Sequence, residues 1–359
     1  MRSCWLLAVA VLVAGCGGRG RELSPIRLVS MMKLGADSGD GAIATTPMVS
    51  ARHPGGFRVV IARWSALASP PAVFGDDGRF LGTLRGDGAP IGRLDRPLFT
   101  RIGQGDSLWV FDNSWRVLIF DPSRRYVRTI AFSSPRPEAS VRLDDAVLLP
   151  GGRFAATTDG SAVVHVFDAN GAVERDIGAQ EFSGSPPTPV RHIALAPDGT
   201  LWTTTIYGRW RLEQWDTTGK LLKVIEPAST WLVDSIADHR TAGTRPDQPP
   251  PPAIKAIWFD AAGRLWILGD VADRHWREGI IEAGSNRAQH IELDRYRDTI
   301  VEVRDPVTGR LIAMARFDIA CGSIAEPGVL VHEVDTHAGW LRAELLRIVL
   351  DKDALDKPK

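Results

Sequence analysis

The sequence predicts an all-β protein, a six-bladed β-propeller whose ring is closed by an N-terminal strand in the last blade. Two kinds of turn-and-strand segment recur along the chain, and the final repeat lacks its last strand. Short apolar runs alternate with clusters of Gly, Pro, Asp and Asn, and no long run has helical spacing. This pattern is typical of many short strands joined by tight turns.

The first repeated segment is a tight turn followed by an apolar strand. Its equivalent turn residues are Gly56, Asp106, Gly152, Gly199, Gly263 and Gly328, at intervals of 50, 46, 47, 64 and 65 residues. The three short intervals match a four-stranded blade of about 40–50 residues. The two long intervals indicate insertions, which we place near residues 227–254, where Arg245–Pro252 is proline-rich, and near residues 273–297.

The second repeated segment is an apolar residue, usually followed by Asp, then a turn and another strand. The copies begin at Phe74, Phe120, Phe167 and Trp215, with a looser copy at Val303. The strands predicted after these turns are Phe80–Leu84, Val127–Ile130, Val173–Ile177, Leu221–Ile225 and Leu311–Ala315. Asp, Asn and Gly suit hairpin turns, which need positive φ or a side chain that bonds its own backbone. Each repeat therefore contributes two hairpins, or four strands.

The sixth repeat is incomplete. Arg347–Asp351 matches a third strand and the start of its turn, after which the chain ends in the polar segment 352–359. Ile26–Ser30 has no blade of its own. Because a propeller ring leaves no open edge when the chain ends share a blade, we expect Ile26–Ser30 to pair with the strand around Glu344–Leu350. The propeller is thus assigned to residues 26–351.

The N-terminus has the features of a secretory signal peptide over residues 1–15. Arg2 precedes an apolar run, Trp5–Ala14, that is shorter than the ~20 residues of a membrane-spanning helix. Leu12-Val-Ala-Gly-Cys16 resembles the lipobox of bacterial lipoproteins, which implies lipid attachment at Cys16, a lipidated tether over residues 16–25 and membrane anchoring. The residue after Cys16 is Gly17 rather than Asp. By resemblance to the sorting rules of Gram-negative lipoproteins, this favours the outer membrane. The alternative is an ordinary signal peptide that contains a cysteine.

Charge and cysteine content narrow the function classes. The chain has 43 basic and 43 acidic residues, and removing residues 1–15 removes only Arg2, so the mature chain is nearly neutral. This argues against a nucleic-acid partner, which needs a basic stripe. Cys321 would be the only remaining unmodified thiol, so we predict neither a disulfide nor a cysteine metal site, and no cofactor. Four residues separate His332 from His337, one more than the three residues between the histidines of the helical zinc motif His-Glu-x-x-His.

Pro197-Asp-Gly-Thr-Leu-Trp202 and Val117-Leu-Ile-Phe-Asp121 resemble segments of six-bladed propellers of the NHL-repeat and TolB-like kind. The resemblance implies the architecture over nearly all of residues 26–351. It leaves the activity open, because such propellers include binding platforms, scaffolds and some enzymes. The metal-binding set of Glu, Asn and Asp found in the sugar-lactonase branch has no match here.

Candidate ligand-binding residues come from the central channel. Counting back eleven residues from the aligned positions Ala155, Trp202 and Trp266 places Asp144, Arg191 and Lys255 on the innermost strands. His192 is adjacent, and Arg101 lies near the corresponding strand of blade two. Mixed charges converging on a narrow lumen predict a site for an anionic or zwitterionic small molecule.

Three functions remain open at this point. We favour a membrane-anchored binding or scaffold module with an envelope protein as partner, because no phosphate loop, nucleophile elbow or metal motif is present. The first alternative is a hydrolase or lyase that uses Asp144, His192 and Lys255 at the channel. The second is a carbohydrate-binding module, for which Trp115, Trp210 and Trp231 near turns would supply exposed aromatic surfaces.

Overall fold

The computed structural model of the protein describes residues 25–36, 38–39, 41–62, 70–84, 97–132, 143–158, 162–179, 191–206, 210–232, 248–281, 290–336 and 340–351. These residues form six four-stranded antiparallel sheets and one two-stranded ribbon. The predicted signal peptide, Cys16, nearly all of the tether and the polar tail lie outside the described residues. So do residues 233–247 of the first predicted insertion and residues 282–289 of the second.

In blades one to five, the strands of each blade follow one another in the chain, from the channel outward, whereas blade six takes its outer strand from the N-terminus. Blade one consists of β2 (Pro47–Val49), β3 (Phe57–Ala62), β4 (Ala72–Gly75) and β5 (Phe80–Thr83). Blade two consists of β6 (Pro97–Ile102), β7 (Leu108–Asp112), β8 (Arg116–Phe120) and β9 (Tyr126–Ala131). Blade three consists of β10 (Leu143–Leu148), β11 (Phe154–Thr158), β12 (Ala162–Phe167) and β13 (Val173–Ala179).

The remaining blades differ in their additions. Blade four consists of β14 (Arg191–Leu195), β15 (Leu201–Thr205), β16 (Leu212–Trp215) and β17 (Leu221–Ile225). Blade five consists of β18 (Ala253–Phe259), β19 (Leu265–Ala272), β22 (Arg297–Arg304) and β23 (Leu311–Phe317), with β20 (Ile280–Ile281), β21 (His290–Ile291) and the short helix α1 (Leu293–Tyr296) inserted before β22. Blade six consists of β24 (Cys321–Glu326), β25 (Val329–Asp335), β26 (Leu341–Leu350) and β1 (Ile26–Leu34).

The predicted ring closure is confirmed. Strand β1 pairs antiparallel with β26, from Ile26 opposite Leu350 to Leu34 opposite Ala343. Ile26 and Leu34 are buried, so the strand contributes to the core as well as to the sheet. The N-terminal strand is therefore the outer strand of the last blade, as the missing fourth strand of the sixth repeat predicts.

One face of the ring carries the turns that follow the inner strands, and we call it the turn face. Gly152, Gly199, Gly263 and Gly328 have φ between 73° and 82°, where a glycine avoids the steric cost of a Cβ. In blade two, Asp106 takes this place with φ 58°. Pro25 also lies on the turn face: its carbonyl accepts a 2.7 Å hydrogen bond from the Asp351 amide, and the nearby Ile348 amide donates to Gly328.

Aromatic side chains fill the spaces between blades. Trp109 of blade two meets Phe154 of blade three edge-to-face at 6.2 Å, and Trp202 of blade four meets Phe259 of blade five at 5.8 Å. Burying one such ring stabilises the fold by about 1.5–3 kcal/mol or more. Trp266, the third tryptophan at this blade position, stacks on Trp258 and is also buried. The recurrent tryptophans therefore belong to the core, as their spacing predicts.

The insertion of blade five packs across the junction with blade six. Trp276 and Tyr296 are buried against each other, and the Asp273 amide donates to the Tyr296 carbonyl. Asp294 of α1 accepts hydrogen bonds of 2.8 Å from the Ala320 amide and 3.0 Å from His332 of β25. This segment is thus a docked part of the ring rather than a loop projecting from it.

Candidate ligand site in the central channel

A cavity of about 670 Å³ lies on the axis of the propeller. Residues at its wall come from the inner strands of blades two to six and from Met48 and Ala51 in blade one. The volume is within the 300–1,000 Å³ that is typical of small-molecule pockets. The channel is therefore large enough to hold a ligand, and all six blades contribute to its wall.

Near the turn face, one apolar residue from each blade borders the cavity. We call this set the apolar ring, and it consists of Ala51, Ile102, Leu148, Leu195, Phe259 and Ile324. In blades two to six, the ring residue pairs with the residue two positions after the repeated turn residue, as Leu195 does with Leu201. Because this register is the same in each of those blades, the ring side chains lie at one level. All six are half-buried.

Charged side chains border the part of the cavity farther from the turn face and connect neighbouring blades. Arg101 of blade two donates to the Asp145 carboxylate of blade three at 2.5 Å and to the Ala146 carbonyl at 2.8 Å. His192 of blade four lies 3.4 Å from Asp145 through Nδ1 and 3.2 Å from the Ile254 carbonyl of blade five through Nε2. A chain of polar contacts thus runs across four blades.

The surroundings of Asp145 favour its ionised form. Burial raises the pKa of this carboxyl, but the Arg101 charge, the His192 ring and the Ile193 amide oppose burial and hold the pKa below its usual 3.8. Both neighbours of His192 are hydrogen-bond acceptors, so a neutral ring can donate to only one of them. The Asp145 carboxylate is thus held in place by Arg101, His192 and the Ile193 amide.

Two further ion pairs occupy the channel wall. Lys255 lies 2.9 Å from Asp270, which also accepts a 2.6 Å hydrogen bond from Arg297. Glu326 of blade six accepts a 2.6 Å hydrogen bond from Arg58 of blade one. The cations that border the cavity are therefore each paired with a carboxylate of the protein.

Four of the five candidate residues border the cavity: Arg101, Asp144, His192 and Lys255. Arg191 does not border it. It is buried inside blade four, with the guanidinium 3.1 Å from Glu213. The reason is a difference in register, because β10 and β18 carry a one-residue bulge at this level, whereas β14 pairs without interruption. One residue of slip turns a side chain to the opposite face.

Polar residues of the wall that the sequence did not predict include Asp145, Ser323 and Glu326. Ser323 is buried, and its hydroxyl oxygen has no hydrogen-bond partner among the described residues. The apolar ring was also missed, although its members stand four residues before the repeated turn residue in five of the six blades.

Within the described part of the chain, no group of three or more His, Cys, Asp and Glu side chains is arranged to hold a metal ion. His332 lies between Asp294 and Glu344, at 3.0 and 3.6 Å, and His337 is outside the described residues. Burial raises the pKa of the Cys321 thiol to about 12, which keeps it protonated.

The three aromatic residues expected to be exposed near turns are buried or half-buried in the structure. Trp210 is buried, while Trp115 and Trp231 are half-buried. Trp115 packs against Phe132, and the Trp231 indole donates to Glu302 at 2.7 Å. These contacts assign all three rings to packing within the propeller.

Helices of the described chain are all too short or too polar to cross a membrane.

No protein-family profile and no curated protein matches this sequence. Solved structures match its fold along most of the chain. A DUF4221 family member from Bacteroides vulgatus is similar over 90% of this chain and 98% of its own, with a TM-score of 0.59 and 10% identity. Virginiamycin B lyase from Staphylococcus aureus is similar over 90% of this chain and 99% of its own, with a TM-score of 0.50 and 10% identity. A protein from Bacteroides fragilis is similar over 91% of this chain and 96% of its own, with a TM-score of 0.51 and 10% identity. Its name proposes that it is exported. At such identities the likeness supports the propeller fold alone.

Proposed function

We propose that this chain is an exported lipoprotein, anchored in the membrane through Cys16, whose propeller is a binding module with its ligand site in the central channel. The signal-like segment and the lipobox-like residues before Cys16 support export and lipidation. The Bacteroides fragilis protein, which has a similar fold, has a name that proposes export. Pro25 follows Cys16 by nine residues, which span at most about 32 Å. Because Pro25 lies on the turn face, this anchoring would direct the turn face toward the bilayer.

The observation that carries the binding proposal is the pairing of charges around an open cavity. Arg101, Lys255 and Glu326 border the channel, and each is held by an opposite charge of the protein: Asp145, Asp270 and Arg58 respectively. Charged groups that are held in ion pairs stiffen the propeller ring and shape the cavity. A catalytic acid or base needs a proton position open to the substrate.

Anchoring is tested by expressing the wild-type chain and Cys16→Ser with an alkyne fatty acid in the medium of a Gram-negative host. We expect label on the wild type, which sediments with outer membranes, and no label on Cys16→Ser. Label on both proteins, or on neither, contradicts the assignment of Cys16.

Binding is tested by native mass spectrometry of the purified full chain, followed by release of any bound molecule. The released molecule is then added back to ligand-free protein. If the chain is a binding module, we expect the molecule to bind again and to keep its mass. A mass change in the molecule that depends on His192 would contradict the proposal and favour the hydrolase or lyase. The specific observation in favour of that alternative is that Asp144, His192 and Lys255 do border one cavity.

A further inference from the structure

We propose that the channel binds a small organic carboxylate at Lys255, and that this anion binds together with a proton on Glu333. This inference rests on the proposed function and deepens it, because it names the chemical class of the channel ligand and the pH dependence of its binding. It narrows the anionic or zwitterionic ligand that the sequence predicts.

Lys255 presents a cationic group to the cavity. It borders the cavity, and its side chain is 26% exposed. Asp270 accepts a hydrogen bond from Lys255 at 2.9 Å and another from Arg297 at 2.6 Å, so two cations share one carboxylate. An ammonium group has three N–H donors and Asp270 takes only one of them from Lys255. The cluster therefore has an excess positive charge and a donor that a ligand can use.

Arg101, a second cation at the cavity, is a weaker candidate. Its guanidinium pairs with the Asp145 carboxylate and also donates to the carbonyls of Thr100 and Ala146. Asp145 therefore balances the charge of Arg101 one to one, whereas Asp270 is divided between two cations. This difference favours Lys255 as the place where an added negative charge binds.

Glu333 lies beside the same end of the channel because Gly322 has no side chain. Glu333 belongs to β25, the second strand of blade six, and Gly322 to the inner strand β24, where it borders the cavity. A Cβ atom at Gly322 would be only 3.2 Å from Oε1 of Glu333. The carboxyl group thus extends over the inner strand toward the channel, and β24 packs against β18, which carries Lys255. Glu333 is half-buried, so solvent and ligand reach it.

The charged groups that act on Glu333 are Lys255 of β18 and, on its own strand, His332 and Asp335. Gly322 and Ala343, the residues beside it on the two flanking strands, are uncharged. The charged residues on either side of Ala343 are Arg342 and Glu344, which alternation places on the opposite face of β26. Lys255 is thus the cation from a neighbouring blade that acts on this carboxyl.

Glu333 exchanges its proton near neutral pH. Burial and the charge of Asp335 raise the pKa of this carboxyl to about 7, although Lys255, His332 and a hydrogen bond from the Thr46 hydroxyl favour the ionised form. The ionised carboxylate offsets the excess positive charge around Lys255. The protonated carboxyl leaves that excess in place and gains an O–H donor.

A bound anion and an ionised Glu333 would therefore compete for the same positive charge. Because binding equilibria are reciprocal, an anion that raises the pKa of Glu333 is itself bound more tightly when Glu333 is protonated. The affinity for an anion is then highest below pH 7 and falls as the pH rises through the pKa of Glu333.

The cavity favours an organic monoanion over an inorganic ion. Its volume of about 670 Å³ is far larger than one inorganic ion needs. Ile206 is half-buried at the cavity wall beside Lys255, since its carbonyl accepts a 2.9 Å hydrogen bond from the amide of Ile254, the residue before Lys255. A carboxylate at Lys255 would thus have carbon surface next to it on which the body of the ligand can pack.

Two probes of the same shape test the ligand class. 4-Fluorobenzoate is an anion and 4-fluorobenzamide is neutral, and fluorine NMR follows the titration of each into the full chain bearing Cys16→Ser, which avoids detergent. At pH 6 we expect saturable binding of the benzoate at one site per chain, about tenfold or more tighter than binding of the benzamide. Equal binding of the benzamide, no saturation by the benzoate, or equally tight binding of inorganic phosphate overturns the proposal.

The pH dependence tests Glu333. The benzoate is ionised at pH 6 and at pH 8, and we expect wild type to bind it about fivefold or more tightly at pH 6. Glu333→Gln keeps the uncharged form, so it should bind equally at both pH values and about as tightly as wild type at pH 6. Glu174→Gln, the same change on the outer strand of blade three, should keep the wild-type pH dependence. An unchanged pH dependence in Glu333→Gln contradicts the role of Glu333.

Matched lysine variants locate the anion. Lys255→Met removes the charge from the cavity wall and leaves Asp270 paired with Arg297. Lys223→Met makes the same change on the outer strand of blade four, where the ammonium donates to the Pro306 carbonyl. We expect a tenfold or greater loss of benzoate binding in the first variant and none in the second. Equal losses would place the probe elsewhere on the surface and overturn the proposal.

Glu333→Gln keeps the test decisive if Lys255→Met does not fold, because its predicted effect is a gain of binding at pH 8. The inference and the proposed function also fail separately. If native mass spectrometry finds a channel ligand without a carboxylate, the carboxylate proposal is wrong and the binding module stands. None of these outcomes depends on fatty-acid labelling at Cys16.

Discussion

The guanidinium of Arg58, almost wholly buried in blade one, donates a 2.6 Å hydrogen bond to the carboxylate of Glu326 in blade six. Arg58 also donates to the Ser50 carbonyl, and the second carboxylate oxygen of Glu326 accepts from the Arg52 amide. The first and last blades are thus joined at the channel by this ion pair, while β1 completes the last blade at the rim.

Removing Glu326 should destabilise the ring markedly. Glu326→Ala leaves Arg58 buried without its counter-charge, a change that costs about 3–5 kcal/mol for fully buried pairs. Because Glu326 is partly exposed, we expect about 3 kcal/mol, measured by urea unfolding. Glu174→Ala is the matched control: its partner Arg153 is on the surface, where an ion pair contributes at most about 1 kcal/mol. Similar losses in both variants would contradict the closing role of the Arg58–Glu326 pair.

Asp145 should be the most sensitive carboxylate of the channel. Asp145→Asn retains the side-chain shape but leaves Arg101 without its counter-charge and weakens the contact to His192. We expect a loss of about 2–4 kcal/mol in the free energy of unfolding. The pKa of Asp145 is lowered, so its contribution is present near neutral pH and is lost as the pH falls below 3.8. An Asn variant as stable as wild type at pH 7 would refute the interblade role.

The protein should be more stable at pH 5 than at pH 8. Burial and Asp335 raise the pKa of Glu333 to about 7, and burial and Asp273 raise that of Asp298 to about 6. Asp294 and Glu344 raise the pKa of His332 against the effect of burial. Each group binds its proton more tightly in the folded state, so stability falls as the pH rises from about 4 to above 7.

Glu333→Gln isolates one of these groups. A glutamine keeps the uncharged form at every pH, so the variant should lose less stability than wild type between pH 5 and pH 8, by about 1–2 kcal/mol. Thermal unfolding at the two pH values measures this difference. A wild-type midpoint that is equal at both values, or lower at pH 5, would show that burial does not control these carboxyls.

Deleting residues 17–30 should open the ring. The deletion removes Ile26 and half of β1, and it exposes the edge of β26. We expect a fall of the thermal midpoint by 10 °C or more, since a change of 1 kcal/mol corresponds to about 2–4 °C in a chain of this size. Arg27→Ala, an exposed position of the same strand, should leave the midpoint unchanged. An unchanged midpoint in the deletion would contradict closure by β1.

Blade number, the hairpin turns and the pairing of Ile26–Ser30 could all be predicted from the sequence, because each follows from its repeated segments. The glycine and aspartate turns repeat at a period that matches one blade, and an unpartnered strand at one end fits a missing strand at the other. The tryptophans at one repeat position are predicted to be buried for the same reason. The pairing of Ile26–Ser30 joins distant segments, but it follows from the count of strands in the sixth repeat.

The channel was predicted less completely. Arg191 was misplaced because a β-bulge depends on the neighbouring strand, and β14 lacks the bulge that β10 and β18 carry. Asp145 was missed in favour of its neighbour Asp144 for the same reason. The pairs Arg101–Asp145 and Arg58–Glu326 join residues that are 44 and 268 positions apart, and no sequence pattern identifies such partners in a single chain.

A crystal structure of the full chain, solved with the molecule that native mass spectrometry finds bound to it, tests the binding site most directly. We expect density for that molecule on the propeller axis, within the cavity bordered by Arg101, His192 and Lys255. Density only on the outer strands, with an empty channel, would contradict the binding proposal.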